Sequence, residues 1–363
     1  MPERHLAENE SGRLVRLLNE CAARLAPRSI KVMEVCGTHT VTARSAGLHQ
    51  LLPAGVKLIS GPGCPVCVTP AGYIDQAVQL ALQRDVHIIT YGDMIRVPGV
   101  NGSLDDARRR GGRVSVVYSI NDALNTARSE PESKVVFLGI GFETTAPATA
   151  FALKTARKQG LKNFMVLSAH KRIVPAMEAL LADSDIAVDG FLAPGHVSVI
   201  IGAAAYKPLT ITYRRPCVVA GFDGAQMLMG LVQILLQLIT GRAEVENVYQ
   251  SRVTQEGNLQ GQKLIGEVFL AAPSLWRGLG AIPDSGLMIR YEFADFDASV
   301  VFGLGEPENS EPQDCRCAEV LKGIITPEEC PLFAGRCSPA TPVGACMVSR
   351  EGACGAYFKY MSV

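Results

Sequence analysis

The sequence lacks any long apolar run and any excess of one sign of charge. Its most apolar stretch, residues 227–239, is interrupted by Gly230, Gln233 and Gln237 and is too short to cross a bilayer. The 35 basic and 35 acidic side chains balance, which argues against a nucleic-acid footprint or a patch for acidic partners. The polar N-terminus has no apolar segment of the signal-peptide type. We therefore expect a cytoplasmic protein that contacts neither nucleic acid nor membrane.

Low-complexity linkers and solenoid-type repeats are also missing, so the chain should fold into compact domains. A length of 363 residues with 48% hydrophobic content allows two or three domains, each with its own core. Cysteine, in contrast, is abundant, with eleven residues. In a reducing compartment such a number indicates metal or redox chemistry rather than structural disulfides.

Two of the cysteines stand alone in apolar surroundings. Cys21 falls in a helical pattern over residues 14–25, and Cys217 falls in a strand-like segment over residues 216–220. Unpaired cysteine is among the most frequently buried residue types. We predict that both are small core residues without a reactive role.

The alternation of short apolar strands with helical patterns predicts an α/β fold. We predict two successive parallel-sheet domains, over residues 28–130 and 131–225, in which polar turns follow the strands. The alternation fades further on, although a polar stretch over residues 245–257 favours one more helix. We assign residues 226–363, with residues 1–27 as a possible addition, to a cysteine-rich iron–sulfur domain.

Three more cysteines lie in turns that follow the first two predicted strands. Cys36 comes directly after strand 30–35 and before a predicted helix, whose dipole would favour a thiolate. Cys64 and Cys67 follow strand 56–60 as a C-x-x-C pair that contains Pro65. Such a pair can close a disulfide, hold half of a metal site or activate one thiol. Both turns should meet at one edge of a sheet.

The other six cysteines lie between residues 315 and 354. Their wide spacing differs from the paired C-x₂₋₄-C knuckles of structural zinc sites. Thiolates that arrive from several loops, with few histidines nearby, suit an iron–sulfur cluster better. We favour a [4Fe–4S] cluster over zinc, but the spacing alone leaves open which four of the six bind it. The six residues are Cys315, Cys317, Cys330, Cys337, Cys346 and Cys354.

Five stretches carry a resemblance that spans nearly the whole chain. They are Cys36-Gly37-Thr38-His39-Thr40, Gly61-Pro62-Gly63-Cys64-Pro65-Val66-Cys67, Gly141-Phe142-Glu143-Thr144-Thr145-Ala146-Pro147, Ala193-Pro194-Gly195-His196 and a C-terminal run from Pro342 to Cys354. With them the chain resembles the HypD family of hydrogenase formation (maturation) proteins. The cluster signature of that family has cysteines separated by fourteen, six and sixteen residues. This spacing occurs at Cys315, Cys330, Cys337 and Cys354 and leaves Cys317 and Cys346 as additional thiols.

The resemblance implies a role in assembling the Fe(CN)₂CO group of [NiFe]-hydrogenases. It implies that Cys36 binds this iron jointly with a HypC-type small chaperone. A HypE-type partner would supply cyanide after HypF-dependent carbamoyl transfer. Cys64 and Cys67 would form a thiol–disulfide pair that exchanges electrons with the [4Fe–4S] cluster.

Three polar residues of the same motifs are further candidates for the site. His39, Glu143 and His196 could handle protons or orient ligands; alternatively, Glu143 caps the helix after Gly141 and His196 is a packed loop histidine. Two other functions remain open: a free-standing iron–sulfur thiol–disulfide oxidoreductase, and a zinc-stabilised transferase with Cys36 as nucleophile and His39 as base. Whether the protein is an enzyme or a redox-active assembly scaffold is not decided by the sequence.

Overall fold

The structure, a computed structural model, describes residues 2–308, 310 and 312–361. Its strands are β1 (Ile30–Glu34), β2 (Val56–Ser60), β3 (Val86–Thr90), β4 (Val114–Val116), β5 (Lys134–Gly141), β6 (Phe164–His170), β7 (Gly190–Pro194), β8 (Cys217–Ala220), β9 (Val245–Asn247), β10 (Phe269–Trp276) and β11 (Gly280–Ile289).

Helices alternate with these strands as far as β9. They are α1 (Pro2–Leu25), α2 (Gly37–Ser45), α3 (Leu48–Leu51), α4 (Pro65–Val68), α5 (Ala71–Ala81), α6 (Leu104–Arg109), α7 (Ile120–Ser129), α8 (Ala146–Gln159), α9 (Ile173–Ala182), α10 (Gly195–Ile201), α11 (Lys207–Ile211), α12 (Gly224–Ile239), α13 (Leu259–Val268), α14 (Ala298–Val301), α15 (Cys317–Leu321), α16 (Ala345–Val348) and α17 (Ala353–Lys359). Short 3₁₀ turns cover Gly92–Arg96, Ala203–Tyr206, Tyr291–Phe296 and Pro327–Glu329.

Two parallel sheets form the α/β core, as the sequence predicted. Sheet A has the strand order β2-β1-β7-β8-β9, and sheet B has the order β4-β3-β5-β6. All residues of β3 and of β8 are buried, which is typical of strands covered by helices on both faces.

The two sheets are interleaved along the chain, so the expectation of successive sheets was wrong. The chain forms β1 and β2 of sheet A, then all of sheet B, and then returns for β7, β8 and β9. The boundary predicted at residues 130/131 runs through sheet B, because β3 pairs with β5 across it. Strand periodicity identifies a strand but carries no information about its partner.

One face of sheet A is covered by α1 and α12. Leu18 and Cys21 of α1 and Leu231 of α12 are buried in the same apolar core, where each leucine contributes roughly 1.5–3 kcal/mol through burial. The boundary predicted at residue 225/226 falls inside α12, which packs on sheet A. The segment 245–257, predicted to be helical, begins instead with β9, which pairs with β8.

The C-terminal part has a different construction from the sheets. Strands β10 and β11 form an antiparallel hairpin with an irregularity between Ala272 and Ser274, and Ser168 of β6 hydrogen-bonds to Leu287 of this hairpin. Short helices and turns follow, with four of the six C-terminal cysteines buried. Cys21 and Cys217 are also buried, as predicted. Within the described ranges, no helix is long and apolar enough to span a membrane.

Candidate functional site

A cleft that both sheets line lies at their carboxyl edges. In sheet A, β2 and β7 lie on opposite sides of β1, so the strand order reverses between β1 and β7. In sheet B, β4 and β5 lie on opposite sides of β3, so the strand order reverses between β3 and β5. Such reversal points are the usual ligand sites of open α/β sheets. Here the two points share one cavity of about 520 Å³.

The cavity is lined mainly by the turns that follow these four strands. Sheet A contributes Val35, Cys36, Thr38, Pro194, His196, Val197, Val199 and Ile200, and sheet B contributes Tyr91, Gly92, Asp93, Met94, Ile140, Gly141, Phe142, Thr144 and Thr145. Gly63, Pro65 and Val66 follow β2, and Glu351 arrives from the C-terminal region. The walls are largely apolar, with a few polar groups near Cys36.

Cys36 lies where the sequence predicted it, between β1 and the first turn of α2. Burial raises the pKa of its thiol to about 12, while the backbone N–H groups of His39 and Thr38 act in the opposite direction. The carboxylates of Glu351 and Glu34 also favour the neutral thiol. Desolvation therefore outweighs the helix N-terminus, which was expected to favour a thiolate.

A buried carboxyl group supports the Cys36 turn from below. Glu34 accepts a hydrogen bond from the Cys36 N–H at 3.2 Å and another from the Thr40 hydroxyl. Burial raises the pKa of Glu34 to about 8, although its hydrogen bonds with Thr40, Ser60 and Cys36 lower it. The sequence analysis missed this residue, although an acidic side chain at the end of an apolar strand is a usable signal.

The Cys64 turn packs directly against the Cys36 turn. The Gly37 N–H donates to the Gly63 carbonyl at 3.2 Å, and a Cβ on Gly63 would lie 2.1 Å from the Cys36 nitrogen. Cys64 caps α4, and its Sγ accepts a hydrogen bond from the Cys67 N–H at 3.3 Å. The expectation that the two cysteine turns meet at one sheet edge is confirmed by this contact between adjacent, parallel strands.

A continuous series of thiols runs from the Cys64–Cys67 turn into the C-terminal region. The Cys67 thiol lies next to the thiols of Cys64 and Cys346, and Cys346 also lies next to Cys317 and Cys354. Cys317 in turn lies next to Cys315. The two thiols that the family spacing left over therefore lie between the C-x-x-C turn and the other C-terminal cysteines.

All four cysteines with the family spacing line one small apolar cavity. Cys315, Cys330, Cys337 and Cys354 surround it together with Leu332 and Phe333, and the two additional thiols, Cys317 and Cys346, line it as well. No three His, Cys, Asp or Glu side chains of the described residues converge closely enough to hold a single metal ion. A cubane cluster takes its thiolates from four separate corners, and this all-sulfur donor set with an apolar surround suits it.

The loop between Cys346 and Cys354 reaches back into the cleft. The Thr38 hydroxyl donates to Glu351 at 2.8 Å, and the Ser349 hydroxyl donates to Asp93 at 3.1 Å. Asp93 and Glu351 are the carboxylates of the cleft lining, and neither was a candidate from the sequence. Because this loop bonds to Thr38 after β1 and to Asp93 after β3, it ties the C-terminal region to both sheets.

Of the three polar candidates, the side chain of His196 alone lines the cleft. His39 is fully buried, donates from Nε2 to the Gly221 carbonyl at 2.8 Å and has a pKa lowered to about 4 by burial. Glu143 accepts from the Ile173 N–H at 3.1 Å and faces a separate cavity of about 550 Å³. It therefore caps α9 rather than the helix after Gly141, and burial raises its pKa to about 7.

Comparison with known proteins agrees with this arrangement of motifs. The model of the HypD family, described as the hydrogenase formation hypA family, matches residues 11–361. The chain belongs to the HypD family. The hydrogenase maturation factor HypD of Escherichia coli (strain K12) is 43% identical over 362 residues, which cover 99% of this chain and 97% of that protein. HypD of Azotobacter vinelandii is 45% identical over 353 residues, covering 94% and 93% of the two chains.

Proposed function

We propose that this HypD family member is a scaffold on which the Fe(CN)₂CO group of a [NiFe]-hydrogenase is assembled. The observation that carries the proposal is the series of contacting thiols that starts at Cys315 and Cys354 and ends at Cys67, beside the Cys36 turn. A buried thiol at the shared edge of two sheets suits low-spin iron, because a soft thiolate is a better ligand than a carboxylate for that metal. The iron is the cargo, and Cys36 is its ligand from this chain.

The cleft is larger than an iron atom with three diatomic ligands requires. We assign the remaining space to the HypC-type chaperone that shares the iron and to the HypE-type cyanide donor. Its apolar walls and its carboxylates, Asp93 and Glu351, give these partners both buried area and polar contacts. His196, exposed in the same cleft, is the imidazole available for proton transfer.

Release of cyanide from a thiocyanate carrier is a two-electron reduction, and oxidation of the C-x-x-C pair supplies the two electrons. The carrier's S–C bond breaks, and the Cys64 and Cys67 thiols become a disulfide and give up two electrons and two protons. One proton goes to the carrier thiolate, the cyanide carbon binds the iron, and the second proton leaves the cleft. We assign delivery of the first of these protons to His196, whose side chain lines the cleft.

Exchange with the next pair of thiols restores the dithiol. Cys346 contacts both Cys67 and Cys317, so its sulfur can attack the Cys64–Cys67 disulfide and then close a disulfide with Cys317. The exchange returns two thiols at Cys64 and Cys67 and conserves electrons and protons. Cys315, Cys330, Cys337 and Cys354 would hold a [4Fe–4S] cluster, which supplies electrons one at a time when bound.

Infrared spectroscopy of the chain purified with its small chaperone tests this function. We expect cyanide and carbonyl stretching bands in wild type and in the matched control Cys21→Ala, whose thiol is buried in α1. The bands should be absent in Cys36→Ala. Bands of full strength in Cys36→Ala would reject Cys36 as the iron ligand. Turnover of disulfides without any chaperone would instead favour the free-standing oxidoreductase, and one zinc without iron or sulfide would favour the transferase.

A further inference from the structure

The aromatic ring of Phe222 connects the helix that begins at Cys36 with the imidazole of the cleft. The rings of His196 and Phe222 are stacked, with their centroids 3.9 Å apart and their planes at 28°. The buried ring of His39, in α2, has its centroid 5.2 Å from the centroid of the same phenyl ring. Phe222 itself is half-buried and does not line the cleft.

The backbone around Phe222 is held by side chains of α2. The Phe222 carbonyl accepts a hydrogen bond from the Thr42 hydroxyl at 2.9 Å. The preceding carbonyl, of Gly221, accepts the bond from His39 Nε2 at 2.8 Å. Both donors come from the helix whose N-terminus is formed by Cys36. The helix therefore fixes the loop after β8, and this loop fixes the phenyl ring.

The approach of the ring to α10 is close enough to require a glycine. A Cβ on Gly195 would lie 2.8 Å from the Ala220 carbonyl oxygen and 3.0 Å from the Phe222 Cζ. His196 is exposed, and no described residue hydrogen-bonds to its ring; the aromatic stack is the contact that orients it. Tyr249 packs edge-on against Phe222, with centroids 6.0 Å apart, and limits its rotation.

We propose that Phe222 is a positioning residue that holds the His196 imidazole in the cleft, and that His39 and Thr42 hold Phe222. This assigns His39 a purpose that differs from a base or ligand: its Nε2–H is committed to Gly221, and its ring supports Phe222. Cys36 and His196 follow different strands of sheet A, β1 and β7. The positions of both side chains thereby depend on one helix, α2. The inference rests on the proposed function insofar as it gives His196 a proton to transfer.

The test compares Phe222→Leu with Phe222→Tyr in the full chain. Selective histidine labelling for NMR reports the stack, because a ring 3.9 Å away displaces the His196 proton resonances. We expect Phe222→Leu to lose this displacement and Phe222→Tyr to keep it. Thr42→Val should cause a smaller change in the same direction. Unchanged His196 resonances in Phe222→Leu would overturn the stack, and this outcome does not depend on any maturation activity.

The second readout is the formation of iron–cyanide bands in the infrared spectrum with the partner proteins. We expect the rate of band formation to fall roughly tenfold or more in Phe222→Leu and to be restored in Phe222→Tyr. The double variant Phe222→Leu/His196→Ala should be no slower than Phe222→Leu, because both changes act through the same imidazole. An unchanged rate and unchanged bands in Phe222→Leu, with altered His196 resonances, would overturn the positioning role. If wild type forms no bands, the proposed function fails, while the NMR comparison still decides whether Phe222 holds His196.

Discussion

The Cys67 thiol lies next to the thiol of Cys346, a residue that the chain reaches only near its C-terminus. This contact places the C-x-x-C turn of sheet A next to the cysteine-rich region. Because Cys346 also lies next to Cys317, it connects the Cys64–Cys67 pair with that thiol. Substitutions at Cys346 and Gly63 test the contacts between these regions, and substitutions at the buried Glu143 and Lys171 test the pH dependence of stability.

Replacing Cys346 with serine should interrupt the proposed relay, that is, the disulfide exchange between the C-terminal cysteines and the Cys64–Cys67 pair. Cys64, Cys67 and the four cysteines with the family spacing all remain in this variant. In Cys346→Ser we expect a Cys64–Cys67 disulfide that persists after a chemical reductant has reduced the cluster, because serine cannot take part in disulfide exchange. Alkylation followed by mass spectrometry measures the thiols, and electron paramagnetic resonance measures the cluster. Cys217→Ser, at a buried thiol of β8 outside the series, is the matched control. Equal reduction of Cys64–Cys67 in both variants would contradict the relay.

A methyl group at Gly63 should separate the two cysteine turns. Its Cβ would meet the backbone of Val35 and Cys36 at 2.1–2.5 Å, and backbone cannot move aside as a side chain can. We expect Gly63→Ala to lower the free energy of unfolding by about 1–3 kcal/mol or more and to weaken iron binding. Gly266→Ala is the control, because nothing lies within 4 Å of its Cβ and alanine favours a helix. Urea denaturation compares them, and equal stability of the two variants would be inconsistent with the contact.

The buried carboxyl of Glu143 should make stability fall as the pH rises. Its pKa in the folded protein is raised from 4.5 to about 7 by burial, so between these values the folded state binds more protons than the unfolded state. Up to about 3 kcal/mol of stability is lost across this range. In Glu143→Gln we expect this part of the loss to disappear and the part caused by Glu34 to remain, whereas Glu178→Gln, in the same cavity, should retain both. Denaturation midpoints are measured from pH 5 to 8. If they change with pH by the same amount in wild type and in Glu143→Gln, Glu143 is not the cause of the loss.

Lys171 should act in the opposite direction at higher pH. Burial lowers the pKa of its ammonium group from 10.5 to about 7, although Glu306 raises it. Above pH 7 the unfolded state therefore binds more protons, and stability should rise by about 2–3 kcal/mol between pH 7 and 9. Lys171→Met should remove this rise, and Lys158→Met, on the exposed face of α8, should not. A rise of equal size in Lys171→Met would show that another group causes it.

Much of the local structure could be predicted because the determining signals are local. Strand β2 has the predicted bounds, and β8 starts one residue later than the predicted segment 216–220; their mostly apolar sequences explain why. The turns at Cys36 and Cys64 follow adjacent strands, as expected for polar groups in a parallel sheet. The hairpin β10–β11 was missed, since its exposed and buried residues do not alternate regularly.

The side-chain directions within the site could not be predicted from the sequence. His39 lies three residues after Cys36, yet the helical rotation turns its ring toward Gly221 and away from the cleft. Glu143 lies between cleft-lining neighbours, Phe142 and Thr144, but its carboxyl points to α9. Glu351 enters the cleft from a distant segment, and contacts of this kind depend on tertiary packing that one sequence does not reveal.

The interleaved order of the sheets sets the order in which a growing chain can complete the protein. All strands of sheet B lie between residues 86 and 170, so this layer can form while synthesis continues. Strand β1 must wait for β7 to obtain its inner neighbour, and Cys67 must wait for Cys346. The edge that carries the Cys36 turn and its contact with the C-terminal cysteines are therefore the last parts to close. Under the proposed function, a nascent chain would present Cys36 before Cys346 exists, which favours loading of iron after release from the ribosome.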